Sequence, residues 1–356
     1  MSDTLKRVYE AVAAAEKECG LDWRFSYTKL LPRDTGVFEI ELSREEVLRA
    51  LPRRLEGFSA REASEGRASF ASDDGLTVIL TLLSPDARRP LWVVSSVADV
   101  RREGAHSSEL LTQLIMGEAA ELLKTEGDWH LVRLGDGYHG WIRSWYVRET
   151  DVNDLAEYRG AARALVTANI GYVISEPDER SLPVSEVVAG TRLMAAQARG
   201  AYRAVTLPGG KSGFMRGDLL ADIGGEQKPD RVRIVERSTR FLGIPYLWGG
   251  TTPKGFDCSG LVQRVFLMEG VSLPRDSDRQ ALVGAFIPKG SIESLVPGDL
   301  VFFGEGGKVG HVAISMGGGR FIHAYGEVRI NSLLPSDERF DERFLKILLF
   351  GRAVLR

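Results

Sequence analysis

The sequence predicts a multidomain α+β chain: a small α/β segment, two copies of an all-β unit, and a C-terminal domain of helices followed by strands. Three observations carry this expectation. A chain of 356 residues exceeds what one ordinary core accommodates. The region 92–224 repeats itself at an offset of 73 residues. From about residue 231 two helical patterns precede a run of short strands, the order of an α+β domain.

The first segment, 1–90, opens with an amphipathic helix over 3–19, in which Leu5, Val8, Tyr9, Val12 and Ala15 fall near one face. Phe38 to Leu42 reads as a strand. Ser43-Arg-Glu-Glu has the form of a capping box for a helix from Glu45 to Leu55. Strands follow around 57–63, 66–72 and 76–83, closed by a turn at Ser84-Pro85-Asp86. No chemistry is apparent here.

The repeat divides the next region into 91–155 and 156–226. Gly117, Trp129, Val132, Gly137, Gly140 and Trp141 recur as Gly190, Tyr202, Val205, Gly210, Gly213 and Phe214. Short alternating segments bounded by Gly and Asp predict two small β-barrels in tandem. The Asp136-Gly-Tyr-His-Gly-Trp string resembles bacterial SH3-like domains. Trp129 and Trp141 are expected in the barrel core. His106, His130 and His139 are expected at the surface. A polar linker, 225–232, leads to the last domain, 227–356. It has helices at 231–242 and 258–269 and strands at 299–303, 310–316, 319–324 and 346–354.

Composition excludes several function classes. Apolar residues make up 44% and charged residues 27%, with a net charge of −3 and no polybasic run, so neither nucleic acid nor an anionic membrane is suggested. The longest apolar stretches, such as Thr77 to Leu83, are too short to span a bilayer. The first 18 residues mix charge throughout without an apolar signal core, which leads to an expectation of a cytoplasmic protein, or of a secreted one if a leader has been removed. Cys19 and Cys258 cannot form a disulfide framework, and the five histidines contain no H-E-x-x-H, so no metal or organic cofactor is expected. Oligomeric state is not legible.

The chemistry lies in Phe256-Asp257-Cys258-Ser259-Gly260-Leu261-Val262. Asp257 is a good N-cap, and Leu261, Val262, Val265 and Phe266 give the helix a buried face. Cys258 then sits in the first turn, where free N–H groups and the helix dipole favour a thiolate nucleophile. A cysteine at a helix start is more often a small buried hydrophobe, and only its company reverses that reading. Val309 to Ile314 and Phe321 to Ala324 read as strands of a tight hairpin. That places His311 and His323 close together, His311 as base and His323 as the group that holds its ring.

Tyr246-x-Trp-Gly-Gly, Asp257-Cys-Ser-Gly-Leu, Leu273-Pro-Arg-Asp with Gln280, Pro297-Gly-Asp-Leu-Val-Phe-Phe, Gly310-His-Val and His323 resemble, in order and spacing, the NlpC cell-wall cysteine peptidases of papain-like fold. The resemblance implies hydrolysis of the amide after γ-linked D-glutamate in murein peptides, with Tyr246 helping to bind the oxyanion. The whole layout is similar to γ-D-glutamyl-L-diamino acid endopeptidases, in which the first SH3-like domain restricts the enzyme to peptides with a free N-terminal L-alanine. The ammonium-binding positions implied are Glu109, Tyr138, Ser259 and Asp276, with Asp257 beside them. The second repeat has Leu182 and Lys211 in place of Glu109 and Tyr138, so the barrel itself needs neither group. Open alternatives are a hydrolase of intact wall, an acyltransferase on the same fold, and a catalytically silent wall-peptide-binding protein. Which diamino acid is preferred is not legible.

Overall fold

The structure, a computed structural model, describes residues 3–64, 66–83, 90–224 and 228–355. The turn expected at Ser84-Pro85-Asp86, the start of the expected linker (225–227) and the side chain of Leu5 lie outside the described residues. The chain divides into two compact units, residues 1–90 with 120–142, and residues 91–119 with 143–356.

In the first unit, helix Asp3–Glu18 lays Val8, Ala11, Val12 and Ala15 against Ile40, Leu42, Val78 and Leu80 of a sheet. Tyr9 stands 47% exposed, because the buried stripe runs through positions 8, 11, 12 and 15 and position 9 lies beyond its edge. The sheet runs in the order Thr28–Asp34, Val37–Leu42, Thr77–Leu82, Arg67–Ser72, Phe58–Ser64. Only its second and third strands are parallel. Its first strand was not anticipated, since Pro32 demotes a strand reading; here it sits at an edge, where a missing N–H is tolerated. The capping box does not form. Helix Glu45–Ala50 starts after Arg44 without a side-chain cap, and the Ser43 hydroxyl instead accepts the Tyr27 N–H at 2.8 Å. The helix ends early, continuing as the 3₁₀ turn Leu51–Arg54 that contains Pro52. Strands Ala119–Glu126 and Trp129–Arg133 pair as a hairpin, and Trp129 and Trp141 pack with Leu123 and Leu131. His139, expected at the surface, is buried, and its backbone N–H donates to the Arg24 carbonyl.

In the second unit, Leu91–Val93 pairs with Val147–Glu149, and Val97–Arg101 with Leu110–Ile115. The strands of the second repeat start at 164, 170, 183, 192, 202, 212 and 220, each 73 residues after its counterpart in the first. Gly117 and Gly190 hold equivalent turns at positive φ, as do Gly137 and Gly210, which explains why glycine recurs there. Neither repeat closes into a barrel; the second is an open seven-stranded sheet with strands Pro183–Val188 and Leu220–Asp222 at its edges.

The last domain begins with helix Arg231–Thr239, capped by the Asp230 carboxylate and ending three residues short of the expected 242. Helix Cys258–Met268 buries Leu261, Val262, Val265 and Phe266 with Phe302, Val312, Ile314 and Ile322. Each such side chain contributes roughly 1.5–3 kcal/mol. The antiparallel sheet runs Ala285–Pro288, Leu348–Ala353, Leu300–Glu305, Lys308–Gly317, Arg320–Tyr325, Glu327–Ser332. The first and last of these strands were not anticipated. The strand expected from 346 starts at 348, because Asp341 caps a helix, Glu342–Ile347, before it. Among the described residues no helix is long and apolar enough to cross a membrane.

Candidate active site

Cys258 is the first residue of its helix and is 9% exposed. Asp257 fixes the turn on both sides: its carboxylate accepts from Gly260 N at 2.7 Å and from Gly249 N at 2.9 Å. Gly260 has no room for a side chain, since a Cβ there would lie 2.1 Å from the Gly250 carbonyl oxygen. The helix start is thereby locked to the Tyr246–Gly250 turn.

Arg275 belonged to a quoted motif but had no assigned role. It is buried, pairs with Asp257 through both terminal nitrogens, donates to Ser259 Oγ at 2.9 Å and reaches Thr112 Oγ1 at 2.9 Å. Gln280 donates from Nε2 to the carbonyls of Ser259 and Pro274. Asp257 and Ser259 are thus part of the framework under the nucleophile. A sequence shows motif order; it does not show which guanidinium reaches back to which cap.

His311 and His323 meet as the hairpin reading required. Their strands pair antiparallel, and His311 Nε2 lies 2.8 Å from His323 Nδ1. A further member was missed: Asn331, on the unanticipated edge strand, presents Oδ1 to His323 Nε2 at 3.0 Å. Its amide is oriented by Nδ2 donating to the Arg339 carbonyl at 3.5 Å. An amide oxygen only accepts, so His323 carries its proton on Nε2 and accepts at Nδ1. His311 then carries its proton on Nε2 and offers the lone pair of Nδ1. Phe344, from the unanticipated helix, closes over both rings with centroids 4.7 Å from His323 and 5.8 Å from His311.

The helix dipole was expected to favour a thiolate. Burial outweighs it. The Cys258 thiol is pushed up to about 12 by burial and by the Asp257 charge, opposed in part by the Val312 N–H and Arg275. Burial, with a contribution from His323, draws His311 down to about 3, and burial draws His323 down to about 4. The resting site therefore holds a neutral thiol and two neutral imidazoles. Tyr246, 36% exposed, is raised to about 12, chiefly by burial, so its hydroxyl keeps its proton at neutral pH.

The other expected residues are placed as follows. Glu109 accepts the Trp248 indole N–H at 2.9 Å and pairs with Arg102 at 3.3 Å, which ties it to the Tyr246–Gly250 turn. Ser259 is buried, and its hydroxyl lies 3.3 Å from Asp257 Oδ1. Asp276 is half-buried at the start of the short helix Ser277–Gln280. Tyr138 belongs to the first unit, where its ring is edge-on to Trp23 and Phe25. Among the described residues no group of three or more His, Cys, Asp or Glu side chains is placed to hold a metal ion.

Residues 243–348 match the NlpC/P60 family, and residues 100–144 match the bacterial dipeptidyl-peptidase SH3 domain. The chain carries an NlpC/P60 cysteine-peptidase domain. The chain is 28% identical over 306 residues to a γ-D-glutamyl-L-lysine dipeptidyl-peptidase of Bacillus cereus, an overlap that spans 78% of this chain and 90% of that protein. A Bacillus subtilis protein of the same name is 26% identical, over 68% of this chain and 81% of its own. A solved NlpC/P60 family protein from Bacillus cereus superposes with a TM-score of 0.65 at 24% identity, over 75% of this chain and all of that one, which shows a shared fold. The NlpC/P60 match contains the Cys258 helix and both histidine strands.

Proposed function

We propose that this NlpC/P60 peptidase hydrolyses the amide between γ-D-glutamate and a diamino acid in short murein peptides. Cys258 Sγ attacks the carbonyl carbon while its proton passes to His311 Nδ1, and the Tyr246 hydroxyl donates to the oxyanion. The intermediate collapses to a thioester as His311 returns the proton to the departing amine. Water, deprotonated by His311, then attacks the thioester and releases the acid and the thiol. His323 and Asn331 hold His311 in the required tautomer. The observation that carries the reading is the relay from Asn331 through His323 to His311, on the strand packed against the Cys258 helix. The substrate class rests on the dipeptidyl-peptidase relatives.

The peptide's free amine is assigned to Glu109, Ser259 and Asp276, all in the second unit. Glu109, held by the Trp248 indole beside the active-site turn, supports this part of the reading. Incubation with L-Ala-γ-D-Glu-L-Lys and mass detection tests both parts. Release of lysine and L-Ala-γ-D-Glu is the expected result. The N-acetylated tripeptide is expected to lose about 10⁴-fold in kcat/KM, the scale on which sites built for a polar group reject a ligand without it. Equal cleavage of the two would remove the amine requirement, and no cleavage of either would remove the substrate class.

A further inference from the structure

At the C-terminal end of the nucleophile helix, near Leu267 and Met268, the second unit has a partly open cavity of about 330 Å³. The helix separates it from Cys258 by about 15 Å, at about 1.5 Å per residue, so it is not the peptidase site. Equivalent turns of the two repeats, at Gly117 and Gly190, both line it. Its apolar part comes from Met116, Tyr158 and Met268, all buried. Its charged part is unbalanced, with Arg159, Arg192 and Arg264 facing a single carboxylate, Glu118.

That carboxylate is already used. Glu118 Oε1 accepts from Arg264 at 2.7 Å and Oε2 accepts the Ile115 N–H at 2.9 Å. Arg264 is further satisfied by the Thr251 carbonyl at 3.0 Å. The guanidiniums of Arg159 and Arg192 make no ion pair or hydrogen bond among the described residues, and partial burial holds Arg159 below its usual value, with the Glu118 charge opposing and the Arg192 charge adding to the shift. Glu118 is already bonded to Arg264 and to the Ile115 N–H, so the two neighbouring cations lack an anion of their own, and an oxyanion beside them offsets their repulsion through charge-assisted hydrogen bonds. Nor does the repeat fold require Arg192: the first copy has Ala119 at that position.

We propose that this cavity binds a small carboxylate carried on a short apolar body, the carboxylate on Arg159 and Arg192 and the body on the two methionines. The volume is that of about ten water molecules and lies at the small end of ligand pockets, about 300–1,000 Å³. The test uses the full chain labelled with ¹³C at the methionine methyls, titrated with hexanoate, with hexanol as the uncharged body, and with inorganic phosphate as the bare anion. Hexanoate is expected to shift the Met116 and Met268 resonances saturably and to leave Met215 and Met316 unmoved. Hexanol and phosphate are each expected to bind at least ten-fold more weakly. Arg159 and Arg192 are exposed residues whose guanidiniums line the pocket's open side, so the Arg159→Gln, Arg192→Gln double variant spares the core, and its unshifted Met215 and Met316 signals report an intact fold. Its hexanoate affinity is expected to fall at least ten-fold. No saturable shift in the wild type, equal affinity in the double variant, or hexanol or phosphate matching hexanoate would each overturn the proposal. Peptidase turnover enters none of these readings.

Discussion

Replacing Cys258 by alanine removes one sulfur from a site that is held by Asp257, Arg275 and Gly260 rather than by the thiol itself. Hydrolysis is expected to vanish while stability changes by about 1 kcal/mol, the cost of a small buried deletion. Near-normal turnover by a folded Cys258→Ala protein would end the covalent mechanism. Asn331 supports a sharper test, because it acts only through His323. Asn331→Asp sets a carboxylate beside His323 Nε2 and should raise the pKa of both imidazoles. A base must be neutral to work, so the acid limb of kcat/KM should move up by about one pH unit or more, since one unit corresponds to 1.36 kcal/mol of added interaction. Asn331→Ala should instead lower kcat without moving KM, by releasing the tautomer. A pH profile identical in wild type and Asn331→Asp would uncouple Asn331 from the relay.

The elements that could be read from the sequence were those whose signal is local. The Cys258 helix announces itself by its cap and buried stripe, the histidine hairpin by alternation around a glycine turn, and the repeat by glycines that must take positive φ. What was hidden depends on partners far along the chain. Arg275 reaches 18 residues back to Asp257, Phe344 comes from a helix beyond the sheet, and Ser43 gives up its cap to Tyr27. The strand through Pro32 and the edge strand bearing Asn331 are likewise defined by their neighbours rather than by their own composition. The buried Arg275–Asp257 pair sets the expectation at this scale. Arg275→Ala strands a carboxylate under the helix start, which costs about 3–5 kcal/mol. Urea unfolding should show that loss, and turnover should fall because the Cys258 turn loses its support. A change under 1 kcal/mol would mean that the Gly249 and Gly260 N–H groups suffice to hold Asp257.

Across the described residues, three histidines are folded in their neutral form. His139 is drawn down to about 4 by burial and by the charges of Arg44 and Arg133, and His311 and His323 are drawn down to about 3 and about 4, chiefly by burial. In the unfolded chain an imidazole takes its proton near pH 6.5. Below that value the unfolded state holds protons that the folded state refuses, so stability is complete above about pH 6.5 and declines as the pH falls toward 4 and 3. Each group can contribute a slope of up to about 1.4 kcal/mol per pH unit in that window. Two of these groups belong to the proposed catalytic relay and interact with each other, whereas His139 stands apart from it. His139→Leu therefore separates a structural cost from a catalytic one. Unfolding free energies measured in urea between pH 6.5 and 4.5 should fall less steeply in His139→Leu than in wild type, by up to one proton's worth of slope. Carboxylate contributions are common to both proteins and cancel in the comparison. Turnover at neutral pH should be unchanged, since His139, His311 and His323 are already neutral there. If the two slopes coincide, His139 takes up its proton as readily in the folded chain as in the unfolded one, and its burial among Arg44 and Arg133 has no bearing on acid stability.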